Sequence, residues 1–158
     1  MRLGSGGGVG FLTLLVGGWA AAQGPGWTVE CAPNAAGQET CLAKTSSSYR
    51  TSQMLLGTPS TMVATVQDNV EKPKVTIQVN ATEVRYAQLK LENPDVIAEL
   101  ICGEVDCTMS FADARATIDG ITAGRTATLL LFTNIGQIVQ IRLPSAGFAE
   151  AVARTRPN

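Results

Sequence analysis

Four cysteines constrain this chain more than any other feature. Cys31 and Cys41 enclose nine residues, Cys102 and Cys107 enclose four, and a long cysteine-free stretch separates the two groups. Three disulfide pairings are possible, and the local one, Cys31–Cys41 with Cys102–Cys107, is favoured because each pair is close in sequence. Each small loop closed this way stabilises the fold by roughly 2–3 kcal/mol in the chain-entropy account. Zinc is the competing use of four cysteines. Structural zinc sites take paired Cys-x2-Cys knuckles or cysteine with histidine, whereas these spacings are nine and four and the chain has no histidine. A thioredoxin-like redox centre needs Cys-x-x-Cys at a helix N-terminus, and neither pair has that spacing. An even count used as structural staples points to an oxidising compartment.

The N-terminus agrees with that compartment. Arg2 is followed by the apolar run Phe11–Val16 and by Ala20–Ala22, after which Gln23-Gly24-Pro25 breaks any regular structure. A basic start, a short apolar segment and small residues before a cleavage point make a secretory signal peptide, expected here over residues 1–22. The apolar run is too short and too rich in glycine to span about 30 Å of hydrocarbon. No transmembrane candidate follows it. Residues 23–158 are expected to form a single periplasmic or secreted domain.

That domain reads mainly as β. Residues 72–80 alternate, with Val75, Ile77 and Val79 on one face and Thr76, Gln78 and Asn80 on the other, the period of a half-buried strand. Residues 60–68 are β-branched and partly alternating. Residues 83–92 alternate with a break expected between Tyr86 and Leu89. The run 126–134 is apolar almost throughout and predicts a strand buried on both faces. A turn at Ile135–Gln137 then leads to 138–144, with Val139, Ile141 and Leu143 inward and Gln140 and Arg142 outward. Residues 27–31 and 40–51 form an expected opening strand pair closed by Cys31–Cys41. Two segments carry helical spacing instead. Over 110–124, Phe111, Ala114, Ile118 and Ile121 share a face, with Ser110 as N-cap and Gly124 as stop. Over 144–156, Ser145 is the expected cap and Phe148 and Val152 lie one turn apart. Several short strands with two short helices predict a two-sheet sandwich or an open barrel of antiparallel strands.

Candidate chemistry is sparse. Without histidine the commonest general base and metal ligand is missing. Glu104 and Asp106 share the Cys102–Cys107 loop and could offer oxygen ligands to Ca²⁺, but no EF-hand-like spacing surrounds them. Asp113 and Asp119 fall on different faces of their helix. Ser46–Ser48 beside Lys44 lack a Ser-x-x-Lys spacing and suit an edge strand. Trp27 reads as a core anchor. Asn80-Ala81-Thr82 matches a glycosylation sequon. Hydrophobic residues reach 45% and charged ones 16%, with a net charge of −1, so the chain suits a packed core and has no basic footprint for nucleic acid.

Taken in order, these pieces resemble the invasion-associated locus B family of bacterial exported proteins. The resemblance rests on the leader, on "GWTVEC" with Trp27 and Cys31, on the nearby Cys41 and on the β-rich middle. It continues through "CGEVDCTMSF", the helix ending in "ITAG", "ATLLLF" and "GQIVQIRLPSAGFAEAV". It covers most of residues 26–154. The family usually has a longer polar lead-in and a leucine before the Gly-Phe, where this chain has Ser145-Ala146. The resemblance implies an immunoglobulin-like antiparallel β-sandwich with two short helices, a periplasmic or surface location and a link to host-cell invasion, with no catalytic mechanism. The expected function is therefore that of a non-catalytic, disulfide-stapled binding protein without cofactor or metal. Its partner would be a protein or an envelope or host-surface component. The alternative is a periplasmic carrier of a small ligand or lipid, and a hydrolase ranks last.

Overall fold

The computed structural model describes residues 26–51, 59–69, 71–80 and 83–157. The expected leader, residues 1–22, lies outside them, as do Ala81 and Thr82 of the sequon. Nine strands and two helices follow in the order β1 Thr28–Pro33, β2 Glu39–Tyr49, β3 Ser60–Gln67, β4 Lys74–Gln78, β5 Val84–Leu91, β6 Val96–Cys102, β7 Asp106–Met109, α1 Phe111–Thr122, β8 Ala127–Thr133, β9 Ile138–Leu143 and α2 Phe148–Ala153. All ladders are antiparallel, and the sheet order is β1-β2-β3-β4-β7-β6-β5-β8-β9. The mainly β fold with two short helices is as expected. Two separate sheets are not found: every described strand belongs to one continuous sheet, which curls until β2 and β9 approach each other.

Curling follows from where the apolar residues fall. Along β3, β5, β8 and β9 alternate residues are buried, among them Met62, Ala64 and Val66, then Leu89 and Leu91, then Leu129 and Leu131, then Ile141 and Leu143. The apolar face of these strands must leave water, and a single sheet satisfies this by bending that face inward and plugging it with helices. Helix α1 buries Ala114, Thr117, Ile118 and Ile121. A methyl group at Gly120 would stand 2.9 Å from Leu91 Cδ1, so glycine lets the helix sit this close to β5. Helix α2 brings Phe148 edge-on to Trp27, with ring centroids 4.9 Å apart, and the Trp27 indole N–H donates to Pro144 O at 2.6 Å. Trp27 is thus a core anchor.

Both local disulfides are present. Cys31 and Cys41 are directly opposed on β1 and β2, and Cys102 and Cys107 on β6 and β7. The second pair closes a hairpin of two strands that the sequence reading had not identified. Four further expectations are corrected in detail. The break in β5 falls between Val84 and Tyr86, earlier than expected. β8 is not buried on both faces: Thr128, Leu130 and Phe132 are half-buried on the outside. Phe111 is exposed, because at the first position of α1 it precedes the buried face. Helix α2 is capped at Gly147, with φ 73°, and not at Ser145, whose carbonyl instead accepts from the Phe148 N–H.

Candidate functional site

Two features of the sheet present chemistry to a ligand: a row of apolar side chains on the outer face, and a cleft between β2 and β9.

The ladders align outward-pointing residues across neighbouring strands. Thr108 faces Ile101, Tyr86 faces Phe132, and Phe132 faces Ile138. Ala87 pairs with Leu100, which places Tyr86 and Ile101 on the next rung. Ile101, Tyr86, Phe132 and Ile138 therefore form one continuous row over β6, β5, β8 and β9. Ile101 is 78% exposed, Ile138 55% and Tyr86 42%. Tyr86 and Phe132 stack with centroids 4.1 Å apart at 7°. The adjacent row on the same face is Glu99, Gln88, Leu130 and Gln140. An apolar stripe of this kind bordered by polar residues has the layout of a protein docking surface, whose centre is apolar and aromatic and whose rim is wet.

The cleft has a volume of about 340 Å³. Strand β1 pairs with β2 only as far as Lys44, so among the described residues the segment Thr45–Tyr49 has β3 on one side and no strand on the other. Among the described strands β9 pairs only with β8. Between these two edges, Met62 and Leu143 supply apolar wall, Thr45 and Ser47 line the β2 side, and Arg142 and Ser145 line the β9 side. Arg142 Nη2 donates to Thr126 Oγ1 at 3.2 Å. Thr45 is 4% exposed and its buried hydroxyl has no hydrogen-bond partner among the described residues.

The other polar clusters are latches. Asp68, 1% exposed, receives Arg115 Nη1 at 2.6 Å and Arg156 Nε at 2.8 Å, while its own N–H donates to Thr155 Oγ1. Burial alone would raise its pKa, but the hydrogen bonds and charges of the two guanidinium groups outweigh that and hold the carboxyl below its ordinary value. The end of β3, α1 and the C-terminal segment are thereby tied together. Glu83 accepts from Ser60 Oγ at 2.8 Å, Asn80 Nδ2 at 3.0 Å and Tyr49 OH at 3.4 Å. Burial, followed by the nearby Glu83 charge, pushes the Tyr49 phenol up.

The sequence-derived candidates fall out as follows. Among the described residues, the group nearest to a metal-ligand set is Cys31, Glu39 and Cys41, but its two sulfurs are bonded to each other and offer no thiolate. Glu104 and Asp106 lie at the β6–β7 turn, where Asp106 O accepts from the Gly103 N–H. Asp113 joins the α1 cap, accepting from Ser110 Oγ at 2.8 Å, and Asp119 lies 3.9 Å from Arg115. The two carboxylates do different jobs and are not brought together. Lys44 pairs with Glu30 at 3.0 Å, which leaves Ser46–Ser48 without it as an activating base. Sequence reasoning did not find the outer stripe or the cleft, although Ile138 is outward once Val139, Ile141 and Leu143 are inward. No family model, curated protein or solved structure matches the chain.

Proposed function

We propose that the chain is an exported, non-catalytic binding module of the bacterial envelope, stapled by its two disulfides and related to the invasion-associated locus B family. The observation that carries the reading is the outer row Ile101–Tyr86–Phe132–Ile138, a patch that a chain with so much inward-facing apolar surface has no need of for folding. The two disulfides support export to a periplasmic or extracellular location. No helix among the described residues is long and apolar enough to cross a membrane. The partner is a protein or an envelope or host-surface component, and a role in host-cell invasion follows from the family reading. On the same reading the curled sheet packs its two halves face to face in an immunoglobulin-like manner.

The test compares the exported chain with an Ile101→Glu/Ile138→Glu variant in capture from envelope and host-surface extracts. Both changes are on the exposed face, so thermal unfolding should be little affected, whereas a specifically captured component should be lost from the variant. Equal capture by both proteins, or turnover of a substrate by the wild type, would overturn the proposal.

A further inference from the structure

We infer that the β2–β9 cleft is a binding site for a small amphiphilic carboxylate, separate from the outer stripe and sharing no residue with it. Its volume, about 340 Å³, lies in the range of small-molecule sites, roughly 300–1,000 Å³. Its chemistry is one-sided. Among the described residues Arg142 is the sole charged member of the lining and no carboxylate joins it there, so the cleft favours an anion. The guanidinium carries five N–H donors, and the side-chain contact it makes, to Thr126 Oγ1, leaves a fork suited to two carboxylate oxygens. Met62 and Leu143, both buried, give the other end an apolar wall, so the anion should carry a hydrocarbon body. Ser47 and Ser145 belong to the same lining.

Thr45 supplies the second, independent observation. A buried hydroxyl normally has a partner, because leaving one without costs free energy. Among the described residues Thr45 Oγ1 has none, in a residue that lines the cleft beside a stretch of β2 that β1 does not cover. Rotation about its χ1 bond would turn the hydroxyl from this enclosed position toward a ligand oxygen in the cleft. A carrier-like activity is thereby attached to a module whose docking surface is elsewhere.

The test is calorimetric titration of the chain purified after export with octanoate below its micelle concentration, with octan-1-ol and acetate as comparison ligands. Octanoate should bind saturably and more tightly than either, since only octanoate has both charge and chain. Arg142→Gln should weaken octanoate about tenfold or more and abolish its advantage over octan-1-ol. Thr45→Val should weaken octanoate severalfold while leaving thermal stability equal or higher, a combination that a purely structural threonine does not give. Tyr86→Ser, on the stripe, should leave octanoate affinity unchanged. Absence of saturable octanoate binding, or an affinity in Arg142→Gln equal to wild type, would sink the inference and leave the docking proposal standing.

Discussion

Asp68 shows how a single buried charge can organise three elements. The carboxylate is almost fully enclosed, but its partners Arg115 and Arg156 reach solvent. The costlier act is therefore removing the less exposed arginine, which leaves the buried anion with the other guanidinium alone, and not removing the aspartate, which frees two guanidiniums to rehydrate. Arg115→Ala is expected to cost about 3 kcal/mol, and Asp68→Asn about 1–2 kcal/mol, measured by urea unfolding at pH 7. Arg115 is the more important partner, since its Nη2 also donates to Asn69 O at 2.8 Å. The same carboxyl sets a pH dependence. Its pKa is depressed on folding, so the folded protein binds fewer protons than the unfolded chain. The stabilisation is present in full above the unfolded aspartate pKa of about 3.9 and is lost as pH falls from there through the folded value. Wild type should lose stability over that acid range more steeply than Asp68→Asn. Parallel pH profiles would show that Asp68 does not carry the effect. Thr76 makes the opposite case. Its hydroxyl is buried in β4 without a partner among the described residues, so Thr76→Val should raise stability by about 1 kcal/mol, and a loss of that size would mean the hydroxyl is satisfied in solution.

At the scale of elements, the two disulfides look alike and should act differently. Cys31–Cys41 joins the edge strand β1, which exposes all its residues except the half-buried Val29. Cys102–Cys107 joins β6 and β7 in the middle of the sheet, and Cys107 is fully buried. Replacing the first pair by serine should speed hydrogen exchange of the β1 amides with little change in global unfolding. Replacing the second should lower global stability by roughly 2–3 kcal/mol. Equal global losses would show that β1 belongs to the main cooperative unit. Much of this architecture was legible in the residues. Period-two alternation marked β4 and β9, the Ser110 cap marked α1, and spacing marked both disulfides. The hairpin β6–β7 was not legible, because β6 is apolar on both faces: Ala98 and Leu100 point in, Ile97 and Ile101 out. Without alternation the segment has no period to read. The same property hid the stripe, since Leu130 and Phe132 stand in an unbroken apolar run whose outward members are visible only once strand partners are known. The cleft depends on where β1 stops pairing, which is a tertiary fact.

For the molecule as a whole, the two ends of the described chain meet across the curled sheet. Trp27 enters just before β1, yet its indole bonds to Pro144 across 117 residues and its ring packs on Phe148 from the last helix. Neither helix is long enough to hold itself, so α2 forms when Trp27 and the inner face are in place. Phe148 is among the largest fully buried side chains. Phe148→Ala should therefore cost about 3–4 kcal/mol, the loss of a large core ring with little room to collapse. Removal of the expected leader leaves Trp27 as the single tryptophan, because Trp19 goes with it. Its fluorescence then reports directly on contact between the two ends. If this contact is part of the same cooperative core as β4 to β8, the tryptophan signal and the far-ultraviolet circular dichroism should unfold at the same urea concentration, in wild type and in Phe148→Ala alike. A fluorescence transition at lower urea would instead mean that the ends separate first while the central strands stay paired. In that case the cleft, which needs β2 and β9 near each other, would open before the sheet is lost, and octanoate would shift the tryptophan transition but not the dichroism one.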